Sequence, residues 1–480
     1  MKEEKKKFYI TTTLPYVNAE PHIGFALEII QADVIARYHR QKGEDVFFNF
    51  GTDEHGLKIY RKSQEEGKNP REYCDEYAGK FNKLKEALNL SYNNFIRTTD
   101  SHHIKAAQEF WKRCEANGDI YKKDYKVKYC VGCEMEKTES ELENGRCPFH
   151  PNKELEIIEE ENYFFRYSKY QDKLLKLYKD NPEFVLPDFR LNEIIKFTEG
   201  GLEDFSISRL KEKMPWGVPV PGDDKHIVYV WFDALVNYIS CLGWPDNLDK
   251  FNDFWPGIQV AGKDNLRQQS SMWQAMLMSA GLPNSKQVLI HGFITSGSKK
   301  ISKSLGNVTD PFEIINKYGT DPLRYYLLRE ISPFQDGDFT LERFETRYND
   351  DLSKGLGNLV SRVVKMAEKM NLDNERKISS KIQEELEKTK KEYSQSLEEF
   401  KFNDALVAIF KLISFSDKYI EKEKPWEEKE NSKQVITDLL FLLEEISRFL
   451  KPFLPETAEK IEKYANLEEK VKPLFPRLKS

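Results

Sequence analysis

Cysteine is scarce in this chain of 480 residues: there are six, Cys74, Cys114, Cys130, Cys133, Cys147 and Cys241. Three cluster and three are scattered. That pattern excludes a disulfide framework and fits a reducing compartment, where a cluster points to metal. Long apolar runs are absent. No stretch approaches the roughly 18–20 apolar residues that cross a bilayer, and the opening MKEEKKKFYI leads into no apolar signal core. The expectation is a cytoplasmic chain with no membrane partner. An excess of positive charge is also missing: 74 Lys and Arg against 80 Asp and Glu leave a net charge of −6. Bulk charge therefore does not hold nucleic acid here. Local patches, stacking side chains and shape would have to do so. Internal repeats and low-complexity tracts are lacking as well. What remains is ordinary globular material, 39% hydrophobic and 32% charged. At roughly 150 residues per domain it is long enough for about three units.

The first stretch reads as strand, turn, helix, strand. Phe8, Ile10, Thr12 and Leu14 alternate, and the turn PYVNAEPHIG follows. A helix over 25–38 carries Leu27, Ile30, Val34 and Ile35 as core positions, and a second apolar run, 46–50, ends at GTDEHG. This is a βαβ unit, and in open α/β sheets ligands bind at the carboxyl ends of the strands. From 118 to 225 the character changes: a cysteine cluster, the charged run ELEIIEEEN and a Pro-rich exit, MPWGVPVPG, read as an insertion. Strand–helix alternation then resumes with a strand over 227–232, a helix over 233–239, the strand IQVAG, a helix over 264–280 and the strand QVLIHG. Beyond about 340 the pattern is helical. Leu352, Leu356, Leu359, Val363, Met366 and Met370 form one stripe. Phe402, Leu406, Ile409 and Ile413 form a second, and Val435, Leu439, Leu442, Ile446 and Phe449 a third. Stripes of this spacing build a helical bundle. The mixed-charge stretch ERKISSKIQEELEKTKKEYSQ reads as a solvated helix face or linker.

Three features carry chemistry. His22-Ile23-Gly24-Phe25 opens the first helix, where free N–H groups and the helix dipole suit a phosphate. Lys300-Ile301-Ser302-Lys303-Ser304 puts two lysines three apart among Gly and Ser. Such a cationic loop either lies exposed or closes on a triphosphate and stabilises leaving charge. Cys130-x2-Cys133-x13-Cys147-x2-His150 has tetrahedral zinc-ligand spacing. All four positions are filled by protein, so that site is structural and not hydrolytic.

His-Ile-Gly after the first strand and KISKS after the last resemble the paired signatures of class I aminoacyl-tRNA synthetases. Within that class the chain is similar to the methionyl family over essentially its whole length. The shared segments are TTTLPYVN, GTDEHG, LEDFSISR…MPWGVPVPG, VWFDALVNY, GKDNLR, KISKSLGN, LGNLVSR and KPWEE. The resemblance implies an α/β Rossmann-like catalytic domain split by a zinc-knuckle connective insert and followed by an all-α anticodon-binding bundle. The implied segments are 1–117 and 226–295 for the two catalytic halves, 118–225 for the insert, 296–345 for the KISKS loop and stem-contact region, and 346–480 for the bundle.

The same resemblance implies the activity and its residues. L-Methionine is activated by ATP to methionyl-adenylate and passed to the 3′-terminal adenosine of tRNA(Met), initiator tRNA included. His22, Lys300 and Lys303 serve catalysis. Gly24, Phe25, Gly262, Asp264, Ser302 and Ser304 meet ATP. Leu14, Tyr16, Asp53, Trp231, Ala234, Leu235, Tyr238 and Gln269 line the methionine site. Asp53 is suited to the ammonium or is a strand-end turn residue, and Trp231 and Tyr238 could equally be core aromatics. Asn358, Arg362 and Trp426 meet the anticodon, with Trp426 as a stacking platform or a helix-start staple. One structural Zn²⁺ sits in the knuckle, Mg²⁺ accompanies ATP, and a monomer is expected. Two positions depart from the family. Phe25 stands where a second signature His is usual, and Gln269 stands where a His usually borders methionine. Another class I synthetase, or a tRNA-binding paralogue without activity, is the alternative.

Overall fold

The computed structural model describes residues 5–137, 141–296, 299–300, 310–372, 377–427 and 429–478. The chain opens with strand β1 (Lys7–Thr12), helix α1 (Ile23–Gln41), strand β2 (Asp45–Thr52), helix α2 (Leu57–Glu65) and, after two further helices, strand β3 (Asn94–Arg97). The βαβ unit expected over residues 8–50 is therefore present. Its strands are buried along nearly their whole length, β1 from Phe8 to Thr12 and β2 from Val46 to Thr52, as in a sheet covered on both faces.

By their contacts the residues form two compact units. The first comprises Met1–Pro21, Gly43–Leu84 and Tyr92–Ile290, and the second His22–Lys42, Lys85–Ser91 and His291–Ser480.

The first unit is built on a six-stranded sheet in the order β3, β2, β1, Ile258–Gly262, Gln287–His291, Val185–Leu186. All its pairings registered along the strands are parallel, with Ile10 opposite Phe48 on one side and Ile258 on the other. The chain runs outward from β1 in both directions, so the crevice at the carboxyl ends of β1 and Ile258–Gly262 is a topological switch point. Gly51 permits close approach of β2 and β3: a Cβ there would lie 1.8 Å from the Ile96 carbonyl oxygen. The sixth strand, Val185–Leu186, comes from the 118–225 segment, which thus contributes to the six-stranded sheet as well as forming a sheet of its own. Its own part is an antiparallel sheet of Met135–Lys137, Ile120–Cys130, Glu156–Phe165 and Phe205–Ser206. The run ELEIIEEEN lies largely in one of these strands. Its glutamates face a lysine-rich partner, with Lys126 2.7 Å from Glu159 and Lys122 3.3 Å from Glu161.

Two sequence expectations change here. The run 227–232 is not a strand of the parallel sheet. Asp223–Val228 pairs antiparallel in a small separate sheet, and Val230–Ala234 is helix, because Val230 and Phe232 are buried there instead of continuing the ladder. The helix expected over 264–280 is broken into a 3₁₀ turn at Lys263–Asn265, a π turn at Gln268–Met272 and α-helix only over Trp273–Ser279. Gln268 to Ser271 are all buried polar residues, and the wide turn accommodates their own hydrogen bonds.

The second unit is helical. The three predicted stripes lie on helices Asn358–Ala367 with the π turn before it, Phe402–Glu423 and Ser432–Leu450, except that Met370 of the first falls in the turn beyond the helix end. Most of their stripe positions are buried, while Met366 and Met370 are half-buried. The mixed-charge stretch becomes a fourth bundle helix, Ser380–Glu398. Ile382, Leu386, Tyr393 and Leu397 bury one of its faces, so it is amphipathic and not merely solvated. Within this unit Arg324, wholly buried, joins α1 to the bundle. It donates to Asp33 at 2.8 Å and to the carbonyls of Leu88, Pro452 and Phe453.

Candidate functional site

The cysteine cluster forms as the spacing predicts. The tight Cys130–Cys133 turn is held by β pairing, and a Cβ on Gly132 would lie 2.5 Å from the His150 ring, so only glycine lets the imidazole close in. Cys133 Sγ lies 3.4 Å from Cys147 Sγ and 3.2 Å from His150 Nδ1, and Cys130 Sγ lies 3.8 Å from that nitrogen. All four ligand atoms fall within 4.8 Å of one another. Ligands about 2.3 Å from a tetrahedral zinc are about 3.7 Å apart. Three soft thiolates and an imidazole in this arrangement can hold one metal ion. Sequence reasoning did not single out the next residue, Glu134. It is buried, accepts from the Lys58 backbone N–H at 2.6 Å and from the Tyr129 hydroxyl at 3.2 Å, and so joins the knuckle to the first turn of α2.

The residues expected around methionine all lie in the first unit. Tyr16 bridges Asp53 beyond the ends of β1 and β2: the Val17 N–H donates to the Asp53 carbonyl at 3.2 Å and the Asp53 N–H to the Pro15 carbonyl at 3.0 Å. Asp53 is buried. Burial first, then the neighbouring Asp233 and Glu134, pushes its carboxyl well above the usual carboxylate range. A group so placed is suited to a ligand's cation. The Tyr16 hydroxyl and the Trp231 indole N–H are buried with no hydrogen-bond partner among the described residues. Ala234, Leu235 and Tyr238 are buried, and Leu14 is half-buried against the same core. Gln269, 1% exposed, donates to the Tyr238 hydroxyl at 2.7 Å.

A second buried carboxylate was not foreseen. Asp233 accepts from His55 Nδ1 at 2.7 Å and His103 Nε2 at 2.9 Å. Burial acts to raise its pKa, but the two imidazoles outweigh it and hold the carboxylate at about 2. His55 lies in GTDEHG and Asp233 in VWFDALVNY, but nothing local in the sequence pairs them, and His103 lies in neither string.

The nucleotide signature falls in the second unit. His22 is the N-cap of α1, and its Nδ1 accepts from the Gly24 N–H at 3.1 Å. The neutral ring therefore carries its proton on Nε2, which can donate to a phosphate oxygen. A Cβ on Gly24 would lie 2.9 Å from the His22 ring, so the glycine seats the cap. Phe25 lies against that ring with centroids 4.3 Å apart. Gly262 ends its strand in the first unit, and Asp264 is exposed in the 3₁₀ turn that follows. Ser302, Lys303 and Ser304 lie outside the described residues. Lys300 is placed by its backbone, which pairs with Thr295.

In the bundle, Asn358 is exposed at the start of its helix, and Arg362, one turn on, pairs with Glu421 at 2.6 Å and Asp417 at 3.5 Å. Trp426 is 47% exposed, against the alternative of a staple into the bundle. Among the described residues no helix is long and apolar enough to cross a membrane.

A switch-point crevice, a His-x-Gly helix start and a following helical bundle define the class I tRNA synthetases. Residues 8–154 and 136–364 match the family model described as tRNA synthetases class I (M), and residues 379–476 match the anticodon-binding domain of tRNA ligase. The chain is 44% identical to a methionine–tRNA ligase of Thermotoga maritima over 479 residues, covering 97% of this chain and 76% of that one. It is 41% identical to the methionine–tRNA ligase of Brucella suis, covering 95% and 91%. A solved Mycobacterium tuberculosis methionyl-tRNA synthetase in complex with methionyl-adenylate superposes with a TM-score of 0.91 at 35% identity, covering 98% of this chain and all of that one. The chain belongs to the methionine–tRNA ligase family.

Proposed function

We propose that this chain joins L-methionine to tRNA(Met), initiator tRNA included, in two steps. In the first, a methionine carboxylate oxygen attacks the α-phosphorus of ATP. The new O–P bond forms as the bond to the β-phosphate bridge breaks, giving methionyl-adenylate and pyrophosphate. In the second, a hydroxyl of the terminal tRNA ribose attacks the activated carbonyl, and AMP leaves. No side chain acts as a nucleophile. Catalysis is positioning and charge stabilisation. Asp53 receives the ammonium. Leu14, Tyr16, Trp231, Ala234, Leu235, Tyr238 and Gln269 surround the side chain. His22 donates from Nε2 to the phosphates, and Lys300 and Lys303, with Ser302 and Ser304, close on the triphosphate as charge moves to pyrophosphate. Gly24, Gly262 and Asp264 meet the adenosine. Phe25, unable to hydrogen-bond, contributes only its ring. Mg²⁺ accompanies ATP, and Zn²⁺ fits the Cys130, Cys133, Cys147 and His150 ligand set in a purely structural role. Asn358, Arg362 and Trp426 read the anticodon. The segment assignment given above, a cytoplasmic location and a monomer belong to the same reading.

The observation that carries the proposal is Asp53: a buried carboxylate, one residue past the end of β2, that burial and two other carboxylates leave in need of a cation. The test is amino-acid-dependent ATP–pyrophosphate exchange on the purified chain with each of the twenty amino acids. Exchange with methionine is expected. Its absence, with tRNA binding retained, overturns the proposal in favour of an inactive paralogue.

A further inference from the structure

Five buried side chains of the first unit form one hydrogen-bonded line, each at most 5% exposed: Gln274, Ser285, Gln259, Gln269 and Tyr238. Its direction follows from backbone groups whose roles are not ambiguous. The Ser285 N–H can only donate, and it donates to Gln274 Oε1 at 3.0 Å. The Gln269 carbonyl can only accept, and it accepts from Gln274 Nε2 at 2.8 Å. The Gln274 amide is thus oriented, and its Nε2 also donates to Ser285 Oγ at 3.0 Å. Ser285 Oγ accepts there with one lone pair, and it donates its own proton to Gln259 Oε1 at 2.7 Å. That makes Oε1 the accepting end of Gln259, whose Nε2 donates to Gln269 Oε1 at 3.2 Å. Gln269 in turn presents Nε2 to the Tyr238 hydroxyl oxygen at 2.7 Å.

The outcome is a choice of polarity at Tyr238. A phenol can donate or accept, and an amide can rotate by 180° to offer either end. With Gln269 donating, the Tyr238 proton is committed to a direction other than Gln269. With the amide reversed, that proton would go to Gln269 Oε1. The difference matters for a thioether, whose sulfur is a weak acceptor with no proton to give, and it does not matter for a methylene in its place. Every member of the line is neutral, so the polarity is set by geometry and not by a charge.

We propose that Gln259, Ser285 and Gln274 are positioning residues that fix the donor direction from Gln269 to Tyr238 and so set selectivity for methionine over its methylene isostere, norleucine. The proposal rests on the reading that Gln269 and Tyr238 line the methionine site. The test measures KM and kcat in pyrophosphate exchange with methionine and with norleucine, alongside thermal melting. Gln259→Met removes the donor to Gln269. Gln259→His keeps the polarity, since a neutral imidazole accepts from Ser285 on one nitrogen and donates from the other.

For the Met variant, the methionine-to-norleucine ratio of kcat/KM is expected to fall about five- to tenfold, the worth of one hydrogen bond of this kind. The change falls in the methionine KM, with kcat and the ATP KM within twofold of the parent. The His variant is expected to stay near the parent. Ser285→Ala, a milder change that also cuts the line, gives the same direction and replaces any Gln259 variant that does not fold. Selectivity within twofold of the parent in folded variants overturns the proposal, as does an equal loss for both substrates. Gln269→Met separates the two readings. If it shifts selectivity and the Gln259 variants do not, only the relay fails. If it too has no effect, the methionine-site assignment itself is wrong.

Discussion

A carboxylate taken out of water is unstable unless something positive is brought to it, and Asp53 is such a group. Among the described residues no cation pairs with it, while Asp233 and Glu134 add negative charge nearby. Asp233 is equally buried, yet its two imidazoles hold it ionised. The contrast separates the two: Asp233 is already compensated within the fold, and in the proposed reading Asp53 is the carboxylate that receives the ligand's ammonium. Asp53→Asn keeps the shape and removes the charge. A hydrogen bond to a charged group contributes about 1.5–3 kcal/mol, so the methionine KM should rise roughly ten- to hundredfold, with the ATP KM little changed. Steady-state exchange kinetics read this directly, and an unchanged methionine KM removes Asp53 from the site. At this scale the position of Asp53 just past the end of β2 was legible in the sequence, because the apolar run before it stops there. Glu134 and the two histidines were not, because their partners lie 76, 178 and 130 positions away.

Helices in the second unit are joined by buried ionisable groups, and one of these makes stability depend on pH. Asp321 lies in helix Thr320–Arg329 and is 3% exposed. One of its oxygens accepts from the Thr457 N–H at 2.6 Å, in the first turn of helix Pro455–Ala465, and the other has no partner among the described residues. Burial, opposed by the bonds from Thr457, raises its carboxyl to about 6. The folded chain therefore keeps a proton that the unfolded chain releases near pH 4. The contribution is complete below about pH 4 and is lost as pH rises through about 6, a span worth about 3 kcal/mol. Asp321→Asn cannot lose that proton. Urea unfolding at pH 4.5, 5.5 and 7 should show the parent falling relative to the variant by about 2 kcal/mol, the part of that span lying above pH 4.5. Parallel curves would show that the carboxyl is already ionised in the fold.

Elements of this kind show where sequence reading stops. The helical stripes were legible because their apolar period is regular. The run IVYVWF was misread because β-branched and aromatic residues favour a strand locally, while burial of Phe232 in the core favours helix. The turn after Lys263 was missed because buried glutamines and serines carry no periodic signal.

At the scale of the whole molecule, two chemistries have to be separable: forming an adenylate and recognising a tRNA. Part of this was legible, since the βαβ pattern and the stripes occupy different stretches of sequence. That α1, which carries His22, groups by its contacts with the helical unit was not, because nothing local in the sequence encodes the burial of Arg324 against Asp33. Trp426 tests the separation. It lies in the short turn Pro425–Glu427, and nearly half of its surface is open, so its ring face is accessible to a base. A base stacked on such a ring contributes about 1–3 kcal/mol. Trp426→Ala should therefore lower kcat/KM for tRNA(Met) in aminoacylation by roughly 5- to 150-fold. Pyrophosphate exchange needs no tRNA and should stay within twofold of the parent, and melting of the bundle should be little changed because the ring is not a core residue. A variant that loses exchange and aminoacylation together would place Trp426 in the scaffold. One that loses neither would leave anticodon reading to Asn358 and Arg362, with the guanidinium then having to exchange Glu421 and Asp417 for a base edge.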